Sequence, residues 1–254
     1  MPSSASSSSR SAARAPLFSV LNNRVLLALT HGMFRLTSRC RFWGREHFGV
    51  SGASCLIAVA HVSHYDPVVV STLSRRRIAW WARAEFYVAP GVRWFMNNAG
   101  AIRIDRTGPA LPGVRNALTA LAAGRTVGVY PEGGLRGADN SVLTGGTMQA
   151  GVATLARRSR RPVVPCVALG GGQFSRVRSW LPLRTGRLAI AYGPPLMPTQ
   201  AECKLGRAGR QAFAARVAVA MQTLYAELIR QEPTLALGDG IGEGAFPSRE
   251  PRHA

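Results

Sequence analysis

Acidic residues are scarce in this chain: Asp and Glu together number 12 against 32 Lys and Arg, a formal net charge of +20. Lysine is almost absent too, Lys204 being the only one, so nearly all the positive charge is guanidinium. An arginine-rich surface attracts phosphate, whether on lipid headgroups, nucleic acid or an acidic carrier protein. Nucleic acid is the least favoured of these partners. The arginines are scattered, with only short runs such as Arg75-Arg76-Arg77 and Arg157-Arg158-Ser159-Arg160-Arg161, and no aromatic platform is interleaved with them.

Cysteine is also sparse. Cys40, Cys55, Cys166 and Cys203 lie far apart and form no CxxC pair, which argues against a zinc ribbon or a disulfide framework and fits a reducing, cytosolic setting. No uninterrupted apolar run reaches the roughly 18 residues that a confident membrane-spanning helix needs. No serine sits in a G-x-S-x-G elbow, so a hydrolase-type acyl-serine intermediate is not indicated. No second cluster completes a metal site with His61, His64 and Asp66, so no metal is assigned.

What the 254 residues do contain suffices for one sizeable α/β domain. Residues 1–16, rich in Ser, Ala and Arg, read as a disordered tail. From Leu17 to Leu36 the apolar residues Phe18, Leu21, Val25, Ala28, Leu29, Met33 and Leu36 recur at helical spacing, interrupted by Asn22, Arg24, His31 and Arg35. That pattern predicts an amphipathic, membrane-associating helix over 17–40 with a cationic edge. A folded unit over 41–231 follows. Its segments alternate: a short strand at 41–43, a continuous apolar run Cys55 to Ala60, a helix over 67–73, strand 79–82, helix 87–99, strand 100–105, helix 111–123, strand 126–130, helix 151–158, and strands 162–169 and 187–192. Alternating strands and helices imply an α/β fold with a mostly parallel central sheet flanked by helices. Leu205 to Arg230 reads as a long packing helix with Phe213, Val217, Met221, Leu224 and Leu228 along one face. The Gly- and Pro-rich stretch 232–254 reads as a disordered tail.

In such sheets, ligands sit beyond the carboxyl ends of the strands. His61, Asp105-Arg106 and Glu132 each follow a predicted strand and could line one crevice. In His61-Val62-Ser63-His64-Tyr65-Asp66, the carboxylate can fold back across a helix start and accept from one ring nitrogen of His61. The other nitrogen is then left basic, as removal of a proton from a hydroxyl requires. Arg106, with Arg103 nearby, is suited to grip phosphate bidentately. In Tyr130-Pro131-Glu132-Gly133-Gly134-Leu135-Arg136, Glu132 could bind a substrate hydroxyl, Gly133 admits a close backbone approach, and Arg136 could hold a phosphate. Pro162-Val163-Val164-Pro165-Cys166-Val167 reads as a buried strand shaping a pocket wall.

In this order and spacing, the four segments resemble the glycerolipid acyltransferase family typified by 1-acylglycerol-3-phosphate O-acyltransferase. His61-x4-Asp66 is similar to its first block, Gly100 to Arg106 to its G-x-x-x-I-D-R block, Pro131-Glu132-Gly133 to its third, and Val163-Val164-Pro165 to its last. The likeness spans roughly residues 41–196. It departs at Ala60, where the family usually has Asn, and at Arg103, where an aromatic residue is common. It departs again at Gly134-Leu135-Arg136, where Thr-Arg-Ser follows the third block, and at Gln149, in place of a frequent lysine.

The resemblance implies an O-acyltransferase domain over 41–231 with His61 and Asp66 as catalytic base and partner. Arg103, Arg106, Glu132, Gly133 and Arg136 would be substrate-binding. No cofactor is expected beyond acyl-CoA or acyl-carrier protein as acyl donor, with membrane lipids as partners. The expected location is the cytoplasmic face of the cell membrane, with peripheral or monotopic attachment. The acceptor expected first is 1-acylglycerol 3-phosphate; the alternatives are glycerol 3-phosphate, another lysolipid or a lyso-ornithine lipid as acceptor, or a non-enzymatic nucleic-acid- or lipid-binding protein.

Overall fold

The computed structural model describes residues 17–49, 54–88, 90–104 and 111–238. A seven-stranded sheet forms its centre: β1 (Ser38–Trp43), β2 (Leu56–Val59), β3 (Ile78–Arg83), β4 (Ile102–Ile104), β5 (Thr126–Val129), β6 (Val163–Leu169) and β7 (Gly186–Tyr192). The strand order is β1-β7-β6-β2-β5-β3-β4. All strand pairings are parallel except β6 with β7, so β1 and β7 run against the other five. The expected α/β class with a mostly parallel sheet is what the chain adopts.

β2 and β6 lie side by side at the middle of the sheet, and every residue in them is buried. That is why each reads as an unbroken apolar run rather than as an alternation. The period of two is expressed in three dimensions instead. Leu56, Ala58 and Ala60 pack on one side of the sheet with residues of α5 (Leu111–Ala122), α6 (Gly151–Ser159) and α8 (Gly206–Gln231). Ile57 and Val59 pack on the other side with Phe34 of α1 (Leu17–Thr37) and with Val69, Val70 and Leu73 of α3 (Asp66–Ser74). The remaining helices are α2 (Arg45–Gly49), α4 (Pro90–Ala99) and α7 (Gln200–Lys204).

α8 is long and apolar enough, by length and composition, to cross a membrane. In this fold its Phe213, Val217, Met221 and Leu228 are buried in the core, with Leu224 partly buried beside them. The expected packing face is therefore the one used.

Three expectations need correction. The helix expected over 17–40 ends at Thr37, because residues 38–40 pair with Gly186, Arg187 and Leu188 as the start of β1. α2 was not foreseen, because five residues carry too little periodicity to register. Ordered structure also continues past residue 231, where a disordered tail was expected. Glu232 is buried, accepts from Arg41 Nε at 2.7 Å and lies 3.7 Å from Arg187 Nη1, and a 3₁₀ turn follows at Pro233–Leu235. Two cations from β1 and β7 hold that end of the chain despite its composition. Residues 1–16, 50–53 and 239–254 lie outside the described residues.

Candidate active site

β2 ends at Val59, and the chain then turns through His61 to Asp66, the first residue of α3. Pro67 occupies the first helical turn, where its missing N–H is harmless. Asp66 is 1% exposed, and its Oδ2 gathers three donors. The backbone amides of Val62 and Ser63 donate to it at 2.9 and 2.8 Å, and His61 Nδ1 lies 3.2 Å away. Burial pushes the Asp66 carboxyl above its ordinary range; the His61 ring and the two amides pull the other way. An oxygen already accepting two amides can only accept from His61 as well, so Nδ1 carries a proton, and in the neutral ring the lone pair lies on Nε2. No hydrogen bond among the described residues engages Nε2.

Two aromatic rings fix the plane of the imidazole. Tyr130, immediately after β5, stacks on His61 with centroids 4.0 Å apart and planes at 24°, and Trp80 of β3 stacks on Tyr130 at 4.9 Å. The Trp80 indole N–H in turn donates to Ser71 Oγ of α3 at 2.7 Å. His64 is exposed, its ring edge-on to His61 at 6.4 Å.

Glu132 follows β5 just as His61 follows the neighbouring β2. It is 2% exposed, and both carboxylate oxygens are used within the protein. Oε2 accepts from the backbone amide of His61 at 2.7 Å. Oε1 accepts from Ser141 Oγ at 2.8 Å and from the amide of Val142 at 2.6 Å. Glu132 was expected to bind a substrate hydroxyl; the geometry instead makes it a tie between the His61 loop and the 141–142 turn. Gly133 follows with φ of 73°, and a Cβ there would overlap the side-chain amide of Gln149. The Arg136 amide donates to the His61 carbonyl at 2.8 Å, which brings the exposed Arg136 side chain beside the histidine.

Five of the expected site residues therefore converge: His61, Asp66, Glu132, Gly133 and Arg136. Arg103 does not join them. It lies on the edge strand β4, with β3 and β5 between it and β2, about 14 Å across three strand spacings. Its guanidinium sits over the Tyr87 ring at 5.7 Å. Asp105 and Arg106 lie outside the described residues. Conversely, Tyr130, Ser141 and Gly171 were not foreseen. A Cβ on Gly171 would stand 3.1 Å from Asp66 Oδ1, so the turn after β6 passes close to the buried carboxylate. Tyr130 alone had a signal in the sequence, as the aromatic residue between a predicted strand and Pro131-Glu132.

This arrangement can take a proton from a hydroxyl held near Nε2, while Asp66 stabilises the imidazolium that results. Comparison with known proteins bears on which chemistry that serves. No curated protein sequence matches the chain. Among solved structures it is similar to the 1-acyl-sn-glycerophosphate (LPA) acyltransferase PlsC from Thermotoga maritima. The TM-score is 0.61 at 17% sequence identity, over 83% of this chain and 87% of that one, a likeness of fold. Residues 39–169, just over half the chain and including His61, Asp66 and Glu132, match the model of one family: the chain belongs to the acyltransferase family.

Proposed function

We propose that this protein transfers a fatty acyl group from acyl-CoA or acyl-carrier protein to the free hydroxyl of a lysophospholipid, foremost 1-acylglycerol 3-phosphate, giving phosphatidic acid. The observation that carries the reading is the His61–Asp66 pair: Nδ1 engaged by a buried carboxylate, Nε2 unengaged, at the carboxyl edge of a parallel sheet. Nε2 removes the acceptor hydroxyl proton as the oxygen attacks the thioester carbonyl. The tetrahedral intermediate collapses, the C–S bond breaks, and the imidazolium returns the proton to the leaving thiolate. Ester and free thiol are the products, and no acyl-enzyme forms.

Arg136, tied by its backbone to His61, is placed to neutralise the acceptor phosphate and so hold the neighbouring hydroxyl. The name of the similar structure, a lysophosphatidate acyltransferase, supports that acceptor.

Attachment to the cytoplasmic face of a membrane is part of the proposal. Val25, Leu29 and Leu36 of α1 are exposed, as are Val177, Trp180, Leu181 and Leu183 in the loop between β6 and β7. An apolar groove of about 410 Å³ between Leu29, Met33, Leu36, Trp180 and Pro182 joins the two sets. Arg24, Arg35, Arg176 and Arg178 flank these residues in sequence, which suits an anionic leaflet.

The test is thiol release from acyl-CoA and acyl-carrier protein across a panel of lysolipids and glycerol 3-phosphate. Release that requires 1-acylglycerol 3-phosphate supports the reading. A different obligatory acceptor would replace it, and silence with every donor and acceptor would remove the reaction.

A further inference from the structure

The C-terminal end of α3 lies eight residues beyond Asp66, about 12 Å away by helical rise. There a surface cleft of about 470 Å³ is lined by His31 and Arg35 of α1, Phe42 of β1, Arg45 of α2 and Arg75, which caps α3. We propose that this cleft binds a phosphate group, separately from the acyl-transfer site and independently of how His61 is read.

Charge is the first argument. Three guanidinium groups meet here, and among the described residues no carboxylate pairs with Arg35, Arg45 or Arg75. The backbone carbonyls at the end of α3 answer only a fraction of this. Arg45 donates to Leu73 O at 3.4 Å and His31 Nδ1 to Thr72 O at 3.3 Å. A helix C-terminus amounts to about half a negative charge, against three full positive ones. An anion of about two charges is what such a cluster lacks.

Geometry is the second argument. The Arg45 guanidinium lies over the Phe42 ring at 4.2 Å, which restrains its plane. With His31 Nδ1 donating to Thr72, Nε2 donates to a phosphate oxygen in the protonated ring. Burial and then Arg75, Arg35 and Arg45 lower the His31 pKa, with the Thr72 hydrogen bond opposing them; a bound phosphate would relieve the repulsion from the three arginines. Two of the lining residues belong to α1, whose exposed face bears Val25 and Leu29. The phosphate could therefore belong to a lipid headgroup or to a soluble phosphate compound; the chemistry recognised is the same.

The experiment follows the His31 ring resonances, assigned by their loss in His31→Asn, on addition of inorganic phosphate or short-chain phosphatidic acid micelles. Phosphatidylcholine micelles serve as the uncharged control. The paired variant is Arg35→Gln with Arg75→Gly. Arg75 has φ of 52°, a conformation glycine adopts readily, so the exchange suits the fold. Arg157→Gln with Arg158→Gln, exposed on α6, removes the same charge elsewhere. We expect saturable shifts that weaken at least tenfold in the first pair and persist in the second. A response to inorganic phosphate identifies a soluble ligand; a response to phosphatidic acid alone identifies a headgroup. No His31 response to either, or equal weakening by both pairs, overturns the proposal.

Discussion

The backbone amide of His61 donates a 2.7 Å hydrogen bond to Glu132, 71 residues further along the chain. The same carboxylate holds Ser141 and Val142 through its other oxygen. Glu132 therefore sets where the histidine stands, and its own exposure leaves a substrate little to touch.

Glu132→Gln puts an amide N–H against one of three hydrogen-bond donors. The expected result is a loss of stability of about 1–3 kcal/mol, the cost of a buried unsatisfied group, read by denaturant unfolding. kcat should fall with KM for the acceptor nearly unchanged. A rise in KM at constant kcat would instead assign Glu132 to substrate binding.

Gly133→Ala tests the neighbouring turn. With φ of 73° and Gln149 where a Cβ would go, the variant should lose about 1–2 kcal/mol. Gly134→Ala, where a Cβ would meet nothing within 4 Å, should cost less. Equal thermal shifts for the two would contradict the described contact.

Thiol reactivity should divide the cysteines. Cys203 is exposed, whereas burial raises the Cys55 and Cys166 thiols above their ordinary range, Cys166 strongly. The thiolate is the reactive form, so at neutral pH an alkylating reagent should modify Cys203 first and reach Cys55 and Cys166 only on unfolding. Rapid labelling of Cys166 in the folded protein, followed by mass spectrometry, would contradict the burial of β6.

Val177→Ser with Leu183→Ser removes two exposed apolar side chains from the loop after β6, and deletion of residues 1–36 removes most of α1. Each is expected to lower the fraction that floats with phosphatidylglycerol vesicles, the double substitution without a change in thermal stability. Unchanged flotation in both would remove these surfaces from the account of membrane attachment.

The parts legible in the sequence are those whose causes are local. The run Leu56 to Val59 reads as an inner strand because both its faces are buried, and His61 and Asp66 meet because the chain turns between the end of that strand and a helix that begins at Asp66. What stayed hidden depends on strand order. Only the adjacency of β2 and β5 brings Glu132 under the His61 amide and Tyr130 onto its ring. The same order places β5 and β3 between Arg103 and the histidine, although the family resemblance groups Arg103 with Glu132 as substrate-binding residues. Composition misled at Glu232, whose partners Arg41 and Arg187 come from two distant strands.

The most direct test of the central claim compares acyl transfer to 1-acylglycerol 3-phosphate by the wild-type chain, His61→Ala and Asp66→Asn, with folding checked by circular dichroism. Loss of the base should lower kcat by about 10²–10⁴-fold, and Asp66→Asn, which disturbs the His61 tautomer, by a comparable factor, with KM nearly constant in both. Wild-type turnover retained by folded His61→Ala would contradict the assignment of this histidine as the base.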